Sequence, residues 1–119
     1  MRTNSDLTWY AKTIVAGAEI YARSVIYGVM WEDRRAANAR QTGDMKADDM
    51  AVYIPMTHGG DGMKEGDLIV RGIVSDVISA GFTPTALRAK YPALVGRVKS
   101  VDRMDQGSLT MHHWQVGAA

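Results

Sequence analysis

The fold is decided by two consecutive stretches near the start of the chain, LTWYAKTIV (residues 7–15) and IYARSVIYGVMW (residues 20–31). Both are rich in the β-branched, aromatic and threonine side chains that favour strands, and the segment AGAE (residues 16–19) between them is typical of a turn. Apolar side chains occupy both faces of the second stretch at a period of two, which indicates cover on both sides. Gly28 predicts a bend or a bulge. The sequence therefore predicts a hairpin of residues 7–15 and 19–31.

Shorter strand patterns follow in the second half of the chain. Residues 50–54 alternate strictly, with their odd-numbered members facing away from the core, and Pro55 ends this strand or places it at a sheet edge. The runs 68–71 and 73–78, on either side of Gly72, predict one bent strand or two pieces across a bulge. A second hairpin, with glycine in its loop at 105–107, is predicted from residues 94–104 and 108–116.

Two segments interrupt the strands. Thr83 is a capping residue, Pro84 occupies the first helical position, and Pro92 follows soon after, so the sequence predicts a helix of about two turns. Residues 32–49 have no continuous apolar face, and about 18 residues is long for a connection in a compact domain. We expect a protruding loop there, with a short helical piece or an extended hairpin as the alternatives.

The elements together define the fold class. The sequence predicts six to seven short strands and one short helix, and most of the strands are joined as hairpins. No strand–helix–strand spacing of the kind found in parallel sheets is visible. The sequence therefore predicts a mainly β protein, a small antiparallel β-barrel or sandwich with one short helix and a long loop. The length of 119 residues fits a single β-barrel-like domain over residues 1–119, with the long loop at about 32–49.

Composition excludes several classes of protein. Hydrophobic residues make up 46% of the chain and charged residues 23%, which is ordinary for a globular protein. The 14 basic and 13 acidic residues give a net charge of +1, which excludes a strongly basic nucleic-acid binder. Cysteine is absent, so there is no disulfide, thiolate metal site or thiol nucleophile. No signal peptide and no membrane partner are expected, because no apolar run approaches about 20 residues.

The chemistry-bearing residues form no recognisable catalytic motif. Neighbouring strand residues such as His112 and His113 point to opposite faces, so the two cannot bind one metal without a bulge, and His58 and Asp61 would join one of them only if the fold brought them close. No serine lies in a nucleophile elbow, and the loop 59–64 lacks the pattern of a phosphate or calcium site. We therefore expect no enzyme activity, no catalytic residue, no metal and no cofactor.

Two groups of residues are candidates for binding. Four basic side chains make the predicted loop locally basic, although acids interrupt them: Arg34, Arg35, Arg40 and Lys46. Such a loop contacts DNA phosphates or an acidic partner in one interpretation, and is simply solvated in the other. The second group lies on the predicted strands, where packing in a core or a subunit interface is favoured over base stacking: Trp31, Tyr53, His113 and Trp114.

Several motifs, taken in order, suggest a family. They are RSVIYGVMW (residues 23–31), VYIP (52–55), KEGDLIVRG (64–72), VKSVDR (98–103) with GS (107–108), and HWQVG (113–117). This ordered set resembles small minor structural proteins of tailed phages and prophages that look like head–tail connector components. The resemblance runs from about residue 7 to residue 117.

The resemblance implies a place in the phage neck. Head-closure or stopper proteins look like small β-barrels with long loops, and they assemble as rings, typically hexamers, between the connector and the tail. It implies portal or adaptor proteins and tail proteins as partners, genomic DNA passing through the lumen, and location in the virion neck after assembly in the bacterial cytoplasm. A tail terminator or other tail component, and a small nucleic-acid-binding β-barrel, are the alternatives. A small enzyme or ligand-binding barrel is a third class, which no residue constellation supports.

Overall fold

The computed structural model describes residues 3–33, 50–105, 107 and 111–119. Within these residues, six strands and one helix follow one another along the chain. In order they are β1 (Ser5–Val15), β2 (Ala18–Asp33), β3 (Met50–Pro55), β4 (Leu68–Arg71), α1 (Pro84–Lys90), β5 (Val95–Met104) and β6 (His113–Ala118). β1 and β2 pair antiparallel around the turn at Ala16 and Gly17, which confirms the hairpin predicted from the first two stretches.

The strands close into a barrel. Every neighbouring pair is antiparallel, the order around the barrel is β1–β2–β3–β6–β5–β4, and β4 pairs with β1 to complete the circle. The predicted mainly β fold with one short helix is confirmed, and of the two predicted architectures the barrel is the one that forms. Closure pairs strand edges that an open sheet would leave exposed to other chains.

A bulge at Gly28 divides β2 into a part that pairs with β1 and a part that pairs with β3. The register against β1 shifts at this point, and Gly28 adopts a φ of 78°, a conformation that other residues rarely accept. Its N–H donates to Asp6 Oδ1 at 3.0 Å. The bulge reverses the alternation of the strand, so that Ile26 and Val29 both enter the interior. The predicted bulge is present, whereas an unbroken period of two along β2 is wrong.

The barrel interior holds the main core. Each of the six strands contributes apolar side chains that are almost fully buried, and each Val, Leu or Ile among them stabilises the fold by about 1.5–3 kcal/mol relative to an exposed position. The buried members are Leu7, Ile26, Val29, Trp31, Met50, Val52, Ile54, Met63, Ile69, Val98, Val116 and Ala118. The barrel interior is consequently the packed centre of the described residues.

Residues 72–94, here called the crossover segment, leave the barrel after β4 and return at β5. Gly72, with a φ of 93°, turns the chain outward, and its N–H donates to the Asp6 carbonyl oxygen at 2.7 Å. Residues 73–78 alternate in burial but pair with no strand among the described residues, so the prediction that they continue β4 is wrong. Val74 and Ile78 instead pack on a second core on the outside of the barrel, and Phe82 and Tyr91 pack against the same core. The buried members of this second core are Tyr10, Tyr21, Leu68, Val70, Leu87 and Val95.

Helix α1 lies within the crossover segment, where the capping pattern predicted it. The Ala86 N–H donates to Thr83 Oγ1 at 3.3 Å, and Pro84 opens the first turn. Leu87 is the buried residue of the helix, and the Arg88 guanidinium donates to the Ala119 carbonyl oxygen at 2.9 Å. Within the described residues, no helix is long and apolar enough to cross a membrane.

The remaining predictions concern two connections. Glu32 and Asp33 belong to β2 and pair with β3, so the predicted loop at 32–49 begins later than expected, and the rest of it lies outside the described residues. The final hairpin is present as β5 and β6. β6 begins at His113 and ends at Ala118, and residues 108–110 of the predicted strand lie outside the described residues.

Candidate interaction surface

The feature that stands out from the barrel is the distal part of the first hairpin. β4 pairs with β1 only over Leu7–Tyr10, whereas β1 and β2 continue to pair as far as Val15 and Ala18. Residues 11–22, here called the arm, therefore extend past the barrel as a two-stranded ribbon. Ala16 and Gly17 form its turn with φ values of 51° and 80°, the signs that a type I′ hairpin turn requires.

The arm exposes apolar side chains. Ile14 is 68% exposed, Val15 is 55% exposed and Ile20 is 47% exposed. A ribbon of two strands is marginally stable in water when it stands alone, and exposed branched side chains near its tip add nothing to its stability until they are covered. These exposed side chains make the arm a candidate surface for contact with another molecule.

Asp67 fixes the base of the arm to the barrel. Its carboxylate is fully buried and accepts hydrogen bonds from the Trp9 indole N–H and the Lys12 backbone N–H, both at 2.9 Å. The backbone N–H and the ammonium group of Lys64 donate to it as well, at 3.1 and 3.0 Å. A buried carboxylate needs such a complete set of donors, because an unpaired buried charge is costly. The arm consequently projects in a fixed direction.

A chain of polar contacts braces the outer face of the arm. Lys12 Nζ lies 3.1 Å from Glu19 Oε1, and the Tyr21 hydroxyl donates to Glu19 Oε2 at 3.3 Å. Arg97 in turn donates to the Tyr21 hydroxyl at 3.3 Å and to the Gly66 carbonyl oxygen at 2.7 Å. The hydrogen bond and positive charge of Lys12 lower the pKa of the Glu19 carboxyl, so it stays ionised at neutral pH.

A groove of about 380 Å³ separates the arm from the crossover segment. Four of the seven residues that line it are aliphatic or proline, and the other three carry polar groups. It is lined by Glu19, Ile20, Tyr21, Ile78, Ser79, Ala80 and Pro84. The groove is thus continuous with the outer face of the arm and gives an incoming side chain a place to lie.

The four aromatic candidates from the sequence lie in two different environments. Trp31 is in the barrel core, and Trp114 packs against that core while its ring faces the Arg103 guanidinium at 5.6 Å. Tyr53 and His113, on β3 and β6, meet edge to face with ring centroids 5.8 Å apart. The structure therefore places the two tryptophans on the core side and brings the other two side chains together.

The histidine candidates are not gathered into a site among the described residues, and the basic candidates are not among those residues. Arg34, Arg35, Arg40 and Lys46 lie outside the described residues, so their contact with DNA or an acidic partner stays a prediction. His58 Nδ1 donates to the Gly28 carbonyl oxygen at 2.8 Å, beside the bulge of β2. Among the residues that the structure describes, no group of three His, Asp or Glu side chains is arranged to hold a metal ion.

The sequence did not indicate the groups that position the arm. Asp67 contacts Trp9 and Lys12, which lie 58 and 55 positions earlier in the chain. The sequence signal for this role was the position of Asp67, at the end of the turn KEGD and immediately before the apolar run LIV. A carboxylate at such a position is either solvated or fully hydrogen-bonded. Sequence alone does not choose between those two outcomes.

These features define the protein as a small closed antiparallel β-barrel with a braced projecting hairpin. The chain belongs to a family of unknown function, DUF6751, which matches residues 2–119. No curated protein and no solved structure matches the chain.

Proposed function

We propose that this protein is a structural subunit of the neck of a tailed phage, a ring-forming connector of the head-closure or stopper type. The observation that carries the proposal is the arm, a braced two-stranded projection with exposed Ile14, Val15 and Ile20 on a rigid closed barrel. The ordered resemblance to phage connector proteins supports the same function. The partners would be other copies in a ring, portal or adaptor proteins, and tail proteins.

The energetics of the arm suit such an assembly. Full burial of each of its exposed aliphatic side chains would contribute about 1.5–3 kcal/mol, and a ring repeats the contact at each subunit. A fixed arm also loses little conformational entropy when it docks, because Asp67 already holds its base. A net charge of +1 suits a ring through which DNA passes without being retained.

The test is co-purification from cells that produce the phage. Tagged protein is recovered from the lysate, and the proteins that accompany it are identified by mass spectrometry. We expect portal, adaptor or tail proteins with the wild-type chain and their loss with Ile14→Asp combined with Val15→Asp. The control is Val77→Asp, which adds a charge at a residue that is 63% exposed on the crossover segment. Host enzymes without any virion protein would overturn the proposal.

A nucleic-acid-binding barrel is the second candidate function. It is favoured by the Arg103 guanidinium over the Trp114 ring and by the Tyr53–His113 pair, since cations and aromatic rings together contact single strands. Binding to single-stranded DNA that weakens steeply with salt and with Arg103→Ala, a change at a side chain that is 65% exposed, would favour it over the neck subunit. A tail terminator or other tail component would be distinguished by the position of labelled protein in particle images.

A further inference from the structure

One edge of β2 carries no strand within the described residues. β2 pairs with β1 over residues 18–29, but its other edge meets β3 only over Met30–Asp33. Between these regions His58 contacts the Gly28 carbonyl oxygen and covers the bulge. The open part is therefore Ala18–Val25, and all of its residues except Tyr21 and Val25 are exposed.

The turn of the arm determines which backbone groups face this edge. In a hairpin with a two-residue loop, the closing pair exchanges hydrogen bonds, and here that pair is Val15 and Ala18. Hydrogen-bonded pairs recur every second residue, so Glu19, Tyr21 and Arg23 direct their N–H and C=O groups away from β1. The same rule turns the Lys12 N–H away from β2, and this N–H donates to Asp67 Oδ1.

The two edges of the arm are protected to different extents. The β1 edge is capped at Lys12 by a buried carboxylate, and the lysine side chain adds a charge. The β2 edge, AEIYARSV over residues 18–25, contains no proline and no bulge, and its two charged side chains, Glu19 and Arg23, are of opposite sign. It is also rich in strand-forming side chains.

We infer that a second copy of this chain pairs with that edge, antiparallel and across a twofold axis at Tyr21. This register places Glu19 of each copy opposite Arg23 of the other, so two opposite-charge pairs form. A register centred on Glu19 or on Arg23 would instead place like charges opposite each other. Charge complementarity therefore favours a second copy as the occupant, in the register centred on Tyr21.

The surroundings of the edge accommodate this pairing. Glu19, Tyr21 and Arg23 share the outer face of the arm, and the groove of about 380 Å³ lies beside residues 19–21 at this edge. Arg23 donates through Nε to the Val74 carbonyl oxygen at 2.7 Å in the single chain, and its terminal nitrogens are the donors that would face Glu19 of the second copy. On the opposite face, Ile20 lies across from Ala22 of the second copy, which covers a side chain that is 47% exposed in the single chain.

The twofold contact goes beyond the proposed ring function and does not depend on it. An isologous contact uses the same surface on both copies and closes on itself, so it builds a pair and not a ring. The ring contact of the proposed function would then use the arm tip, at Ile14 and Val15. A negative result in the co-purification test therefore does not contradict the dimer, and a negative result in the dimerisation tests does not contradict the ring.

Charge reversal tests the register in purified protein. Arg23→Glu places glutamate opposite Glu19 in both pairs, and we expect dimerisation to weaken by about tenfold or more. Lys99→Glu makes the same change in charge at an exposed residue of β5 and should leave dimerisation unchanged. The combination of Glu19→Arg with Arg23→Glu restores opposite charges and should restore the dimer. The measurement is sedimentation equilibrium over a range of protein concentrations, with circular dichroism to confirm folding.

Cysteine pairing tests the register independently, because the chain has no cysteine of its own. Ile20 and Ala22 form a non-hydrogen-bonded pair across the axis, where α-carbons lie about 4.5 Å apart, within disulfide range. Oxidation of a mixture of Ile20→Cys and Ala22→Cys should give the mixed disulfide in excess over either homodimer. Ile14→Cys, on the other strand of the arm, should not cross-link to Ala22→Cys.

Three results would overturn the inference. One is a wild-type chain that remains monomeric up to millimolar concentration. Another is a dimer that Arg23→Glu does not weaken, since the contact would then lie elsewhere. The last is a mixed disulfide no more abundant than the homodimers, which would exclude the register centred on Tyr21.

Discussion

Asp67 and Asp76 are both carboxylates that hold a projecting segment against the barrel, and they do so in different ways. Asp67 is buried and accepts from the indole of Trp9 and from two backbone N–H groups as well as from an ammonium group. Asp76 accepts from the side chains of Lys90 and Tyr91 near the surface, with Lys90 Nζ at 2.7 Å. The loss of the first carboxylate leaves the Trp9 indole N–H and the Lys12 backbone N–H without their acceptor beside the core, whereas the partners of the second turn to solvent.

The largest effect is therefore expected for Asp67→Asn. The amide offers one oxygen where the carboxylate offers two, and its NH₂ group faces N–H donors that it cannot accept from. We expect the free energy of unfolding to fall by about 3 kcal/mol. Urea unfolding measures it, with the exposed Asp61→Asn as the control for the same chemical change. A loss as small as that of the control would mean that water enters the base of the arm.

A smaller, pH-dependent effect is expected for Asp76→Asn. Hydrogen bonds from Lys90 and Tyr91 lower the pKa of the Asp76 carboxyl below its usual value. A carboxyl with a depressed folded-state pKa stabilises the fold above its unfolded-state pKa, and this contribution is lost as the pH falls through the folded-state value. The wild-type protein should therefore be more stable than the variant at neutral pH, and the difference should shrink in acid.

Urea unfolding of both chains at neutral pH and at about pH 3 checks this expectation. Tyr91→Phe serves as a second variant, because it removes one donor and leaves the carboxyl in place. A difference between wild type and Asp76→Asn that does not change with pH would show that the carboxylate charge does not hold the crossover segment.

The same two regions show how far sequence predicts this structure. The strands of the barrel and the start of α1 follow from local patterns, the alternation of β-branched residues and the Thr83–Pro84 cap. Residues 73–78 have an equally good strand pattern, yet they lie on the outside of the barrel. Their alternation is satisfied by packing on Tyr10 and Tyr21, residues more than 50 positions earlier in the sequence.

The candidate site was less predictable than the fold for the same reason. The arm exists because β4 stops pairing at Tyr10 while β1 and β2 continue, and the length of one strand does not follow from the sequence of another. The bulge at Gly28 was indicated by the glycine, but the change of faces that it causes depends on Asp6 capping its N–H. Contacts between distant segments thus decide what the local pattern leaves open.

The smallest effect is expected for Lys64→Met. This change removes the ammonium group that faces Asp67 and leaves the other donors to its carboxylate in place. The Lys64 side chain is 53% exposed, and water screens its interaction with the carboxylate. The backbone N–H of residue 64 still donates to Asp67, so the cost should be about 0.5 kcal/mol. Urea unfolding at low and high salt measures it, with Lys99→Met as the control. A loss comparable to that of Asp67→Asn would mean that the ammonium group, and not the Trp9 and backbone donors, compensates the buried charge.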